Sequence, residues 1–141
     1  MQYRVVAVGR MKDAALRAAC DEYLGRLRRY ARADETEVRD EARLAGAIPD
    51  GARLIALSRR GEPWSSRDLA ERTARWEREA RDVVLAIGGA ETLPAAVLAR
   101  AEDVWSLGAL TLPHELARVI VFEQLYRAYT IRRGEPYHRG S

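Results

Sequence analysis

The chain of 141 residues is short of several things, and each shortage closes off a class of protein. It has one cysteine, Cys20, so neither an internal disulfide nor a cysteine cage for a metal is available. No apolar run approaches the ~20 residues that a membrane-crossing helix needs. The opening "MQYRVVAVGR" has too short an apolar part, and the wrong flanks, for a secretory signal. "GRMKD", after the first apolar run, matches neither a phosphate loop nor a dinucleotide fingerprint. That argues against a nucleotide hydrolase or a Rossmann dehydrogenase. Cytoplasm is the expected compartment.

What is present is globular: 48% hydrophobic residues, 32% charged, net charge +3. Every basic residue but Lys12 is Arg, and Ala is abundant, a bias that a GC-rich genome produces without functional demand. A mildly basic domain is compatible with nucleic acid but is not evidence for it. The length suits one domain, residues 1–141.

Apolar periodicity gives the fold class. "YRVVAV" (3–8), "RLIALS" (53–58) and "DVVLAI" (82–87) read as buried strands. Residues 36–40 are a weaker strand candidate, and 41–47 fit one or two helical turns. Residues 13–30 space Leu16, Cys20, Tyr23, Leu24 and Leu27 along one helix face. "RRGEPWSS" reads as a turn whose Ser65 or Ser66 caps a helix over 67–81, with Leu69, Thr73 and Trp76 inward. A short helix is expected over 94–103, strand and loop over 105–112, and a last helix from His114 to about Ile131 after Pro113. Strands alternating with helices predict an α/β fold with a mostly parallel sheet.

Ligands of open α/β sheets bind beyond the carboxyl ends of the strands. Three such ends carry suggestive residues: Leu57-Ser58 with Gly61, Ile87-Gly88-Gly89, and Leu107 to Leu112. Glycine admits close main-chain approach to a ligand, although a Gly pair also serves a plain tight turn. In the last helix Glu123 and Arg127 have the spacing of a surface ion pair. Arg118 is expected on the side opposite Arg127, and Tyr126 and Tyr129 read as core. The end of the chain is different. Arg132, Arg133, Tyr137, His138 and Arg139 gather guanidinium groups, which grip phosphate bidentately, with rings that stack on an unpaired base. His138 is the better of the two histidines for proton work, since His114 falls in a first helical turn where capping or packing would occupy it.

The segments "VVAVGRMKD", "LIALSRRGEPWSS", "VVLAIGGAETL" and above all "WSLGALTLPHELARVIVFEQLYRAYTIRRGEPYHR" resemble the SPOUT-class (trefoil-knot) methyltransferases that methylate N3 of a pseudouridine in bacterial large-subunit 23S rRNA. The resemblance covers essentially the whole chain. It implies S-adenosylmethionine as donor, a C-terminal trefoil knot, and a homodimer with sites at the subunit interface. By resemblance the donor-binding positions are Leu57, Gly88, Leu107, Gly108, Ala109, Leu110, Thr111 and Leu112. Catalytic roles are expected of His138, Arg139 and Tyr137, the imide proton going to His138 or to a partner-activated water, and contacts with ribosomal RNA of Arg118, Arg132 and Arg133; no metal is expected. The chain departs from the family's pattern at Ser58, Glu62, Thr92 and Gly108, and around residues 40–49, where it is shorter. Two other readings stay open: an RNA-binding protein that kept the fold without the chemistry, and a sister enzyme acting on tRNA or a ribose hydroxyl.

Overall fold

In the computed structural model, which describes residues 1–89 and 93–138, five parallel strands form one sheet in the order β2-β1-β4-β3-β5. The strands are β1 (Gln2–Val8), β2 (Arg32–Val38), β3 (Arg53–Glu62), β4 (Val83–Ile87) and β5 (Asp103–Trp105). The helices are α1 (Ala14–Leu27), α2 (Ser66–Glu79), α3 (Ala95–Arg100) and α4 (His114–Arg132), with 3-10 turns at Glu41–Arg43, Ala45–Ala47 and Pro136–His138.

Alternate residues of each strand face opposite sides of the sheet, and both sides are covered. Tyr3, Val5, Ala7, Ile55, Val83, Leu85 and Ile87 pack under the long helices. Val6, Val8, Leu54, Ala56, Val84 and Ala86 pack with Leu44, Ile48, Leu93 and Val97 on the other side. Burial on both faces is why these strands read as continuous apolar runs. Helix α4 packs against both α1 and α2, so it buries Val119, Val121, Phe122, Leu125, Ala128 and Tyr129. Local signals set the helix starts: the Asp13 carboxylate accepts from the Leu16 amide, and Ser65 and Asp68 form a reciprocal capping box.

Three strand expectations need correction. The last strand is Asp103–Trp105, so it begins before the expected 105–112 and the helix expected over 94–103 stops at Arg100. β2 starts at Arg32, not Thr36, because its whole length pairs with β1, from Gln2–Arg32 to Val8–Val38. An edge strand reading "RADETEV" with Ala33 as its one buried residue has almost no apolar signal. β3 continues through the expected turn to Glu62. Both Leu57 and Glu62 pair with Trp105, so residues 58–61 bulge out between them. Gly61 makes this possible: a Cβ there would lie 2.3 Å from the Val104 carbonyl oxygen and 2.8 Å from the Trp105 nitrogen.

Candidate functional site

The carboxyl ends of β3, β4 and β5 surround a cleft of about 520 Å³, within the usual range for small-molecule sites. The β3 bulge supplies Leu57, Ser58, Arg59 and Arg60; β4 supplies Ile87, Gly88 and Gly89; the loop after β5 supplies Leu107, Gly108, Leu110, Thr111 and Leu112. Seven of the eight donor positions expected from resemblance therefore meet at one cleft, and Ala109 is not on its wall. Thr92 and Arg139 lie outside the described residues, as does the His138 side chain.

Each lip has a physical basis. Ser106 fixes the β5 loop, its hydroxyl accepting from the Gly108 amide and donating to the Gly108 carbonyl, both at 3.1 Å. Gly108 sits at φ +125°, open to glycine and strained for other residues. Arg59 Nη1 reaches across to Thr111 Oγ1 at 2.7 Å, tying the β3 bulge to the β5 loop. Trp105 in the cleft wall stacks on Trp64 (5.2 Å, 14°), and the Arg72 guanidinium covers the Trp64 ring at 3.9 Å. Leu110 is 78% exposed at the mouth.

His114 also lines the cleft. Expected only to cap or pack, it stands on the wall because α4 begins there, and no local sequence signal marks that position. The next residue, Glu115, accepts from the amides of Lys12 and Asp13 at 3.1 Å each.

Arg118, expected on an RNA surface, has no solvent exposure. Its Nη1 donates to Glu37 (2.6 Å) and Glu35 (3.2 Å), and its Nη2 to the Gly9 carbonyl (2.7 Å). Arg17 pairs with the same two carboxylates. Burial alone would raise the Glu37 pKa, but the Met11 amide and Arg118 outweigh it and hold the carboxyl below its ordinary value. Burial, reinforced by Glu35, pushes the nearby Cys20 thiol up to about 12. Arg118 is thus the buried post under the β1–α1 loop.

The tail lies elsewhere. From His114 to Arg132 helix α4 rises about 27 Å, away from the cleft toward the amino ends of the strands. There Arg132 pairs with Glu77 (2.8 Å) and Arg133 covers the Tyr30 ring (4.8 Å). Gly134, at φ +66°, ends the helix, and the chain turns back along α4. Tyr137 donates to Glu123 (2.7 Å), meets Tyr126 edge-on (4.6 Å) and lies under Arg127 (4.9 Å). Glu123 and Arg127 are therefore no plain surface pair: at 15% and 23% exposure they clasp the tail. Among the described residues, Arg132, Arg133 and Tyr137 do not line the cleft.

The family model described as predicted SPOUT methyltransferase matches residues 1–138. A protein of Sorangium cellulosum named ribosomal RNA large subunit methyltransferase H is 48% identical over 143 residues, covering 97% of this chain and 99% of that one. Its namesake from Anaeromyxobacter sp. is 44% identical over 153 residues, covering 99% and 100%. Among solved structures, a probable methylase family protein from Haemophilus influenzae aligns with TM-score 0.65 at 11% identity, over 96% of this chain and 69% of that one. A probable methyltransferase from Bordetella pertussis aligns with TM-score 0.58 at 14% identity, over 89% and 93%. At such identities these two speak to the fold alone.

Proposed function

Since the chain belongs to the SPOUT methyltransferase family, we propose that it methylates N3 of a pseudouridine in large-subunit ribosomal RNA, with S-adenosylmethionine as donor. The observation that carries this reading is the convergence of Leu57, Gly88 and the loop from Leu107 to Leu112 on one cleft. Leucine side chains with glycine-exposed main chain between them suit an adenine and a ribose, with recognition left to backbone groups. The donor supplies a methyl group already activated on sulfur. The protein's part is to hold the acceptor nitrogen in line with it, exclude water and take up the imide proton.

We assign the proton to His138, brought to the cleft by the tail of a second copy of the chain. Tyr137 and Arg139 hold the base beside it, and Arg132 and Arg133 hold phosphates. Tyr137 is held at Glu123 of its own helix and does not line its own cleft, which supports this two-subunit arrangement. His114 on the cleft wall is the second imidazole to weigh. Separate His114→Ala and His138→Ala variants under single-turnover conditions discriminate: the variant that loses its neutral-pH inflection lacks the base. No helix of the described residues is long and apolar enough to cross a membrane, and they hold no group that could bind a metal. We place the enzyme in the cytoplasm with its ribosomal RNA substrate.

The test is mass spectrometry of rRNA nucleosides from a deletion strain with and without the gene restored. One methyl on a pseudouridine should disappear and return. An unchanged nucleoside profile, or calorimetry showing no heat with S-adenosylmethionine, would overturn the assignment in favour of an RNA-binding protein without the chemistry.

A further inference from the structure

We infer that the β1–α1 loop, with the end of β2, forms a phosphate-gripping surface for the RNA strand that flanks the target nucleotide. The inference rests on the RNA substrate proposed above and concerns three residues not assigned to it so far: Arg10, Lys12 and Arg39.

The loop is held rigidly from below. Gly9 takes φ +88°, its carbonyl accepts from buried Arg118 (2.7 Å), and its amide donates to the Val38 carbonyl (2.8 Å). The Met11 amide donates to Glu37 (2.9 Å), and Glu115 takes the Lys12 and Asp13 amides. Between these anchors Met11 is buried, while Arg10 and Lys12 stand in solvent on either side of it. Arg39 follows Val38 on the neighbouring strand and is exposed as well.

None of the three has a carboxylate partner among the described residues. The acids at this end of the sheet are turned to other work. Glu37 serves Arg118, Arg17 and the Met11 amide, and Glu115 serves two amides. Asp13 caps α1, Asp40 caps the turn at Glu41–Arg43, and Glu41 lies against Gly89. These carboxylates are engaged by main-chain donors, by Arg17 and Arg118 or against Gly89, while Arg10, Lys12 and Arg39 stand exposed.

β1 has β2 on one side and β4 on the other, and Ala7 pairs with Ile87, the residue before Gly88. At ~4.8 Å per strand, Arg39, Arg10 and the donor loop at Gly88 follow one another over about 10 Å. Beyond the cleft, on the β3 bulge, Arg59 and Arg60 are also exposed. An RNA strand laid along this edge passes its phosphates over Arg39, Arg10 and Lys12 and delivers its base to the cleft. Such contacts give affinity and register, not sequence choice.

The experiment combines Arg10→Gln, Lys12→Gln and Arg39→Gln in the full chain. Binding to large ribosomal subunits from a deletion strain is measured across a salt titration. Removing three phosphate contacts should lower affinity at least ~10-fold and reduce the slope of log K against log salt by about 3. The heat of S-adenosylmethionine binding and the thermal midpoint should match wild type. A control that removes the same charge elsewhere on the surface, Arg29→Gln with Arg75→Gln and Arg78→Gln, should keep the wild-type slope. A triple variant with wild-type slope, or a control that loses as much, overturns the inference. If wild type methylates these subunits while the triple variant binds them unchanged, this surface alone is rejected. If wild type neither binds nor methylates them, the proposed function falls with it.

Discussion

Replacing Arg118 with Met separates a buried structural role from a direct grip on RNA. The side chain has no exposure, and it bonds Glu35, Glu37 and the Gly9 carbonyl. Removing one partner of a buried ion pair typically costs 3–5 kcal/mol, because the other charge is stranded. Here Arg17 still reaches both carboxylates, which puts the ionic part near the lower end, about 3 kcal/mol. The orphaned Gly9 carbonyl adds about 1 kcal/mol. Arg118 Nε has no partner in the native fold, so nothing is lost there. A total of about 4 kcal/mol corresponds, for a chain of this size, to a fall of roughly 12 °C in thermal midpoint.

The pH dependence sharpens the test. The folded Glu37 pKa is held below its ordinary value of 4.5. Its contribution is therefore fully present above that value and lost as pH falls through the folded pKa. The gap between wild type and Arg118→Met should narrow in acid. Thermal unfolding at fixed protein concentration, near neutrality and near pH 4, measures it. A variant as stable as wild type that has lost only RNA affinity would refute the buried-post account, as would a gap that widens in acid.

Three other outcomes are expected. Gly61→Ala places a methyl group 2.3 Å from the Val104 carbonyl oxygen; it should cost about 2–3 kcal/mol in denaturant unfolding and abolish the calorimetric heat with S-adenosylmethionine, since β3 and β5 must part. Tyr137→Phe removes the bond to Glu123 and keeps the contact with Tyr126; stability should change by no more than about 1 kcal/mol, while single-turnover methylation slows. Deleting residues 136–141 should abolish methyl transfer and leave donor binding near wild type, with a lower thermal midpoint from the lost Tyr137 contacts, and unimpaired transfer would remove the tail from the proposed site.

Sequence reading succeeded where burial is symmetric. Residues 5–8 and 83–87 are apolar throughout because helices and turns cover both faces of the sheet, and the Gly88-Gly89 wall of the cleft was legible because β4 ends abruptly there, while the single positions from Leu107 to Leu112 came by resemblance. β2 was misplaced because its position comes from pairing with β1 and not from its own side chains. The β3 extension depends on an absent Cβ at Gly61 meeting a backbone 43 residues away, which no local pattern encodes. Arg118 looked like a surface cation because its partners, Glu35 and Glu37, lie 83 and 81 residues upstream. Glu123 and Arg127 looked like an isolated pair because Tyr137 returns to them only once the helix has ended. The trefoil knot implied by the family has no counterpart in periodicity or composition.

Helix α4 is the last long element in chain order and the central one in its layer, packed on both α1 and α2. A nascent chain therefore makes its flanks before its keystone. Until residues 114–132 emerge, the inner faces of α1 and α2, with Cys20, Leu24, Leu69 and Trp76, lack the helix that packs on both of them, and Glu35 and Glu37 wait for Arg118. During synthesis these surfaces are open to chaperones and to aggregation. Translation that stops short of α4 leaves no smaller native unit behind, only an unsealed half-core for quality control to remove.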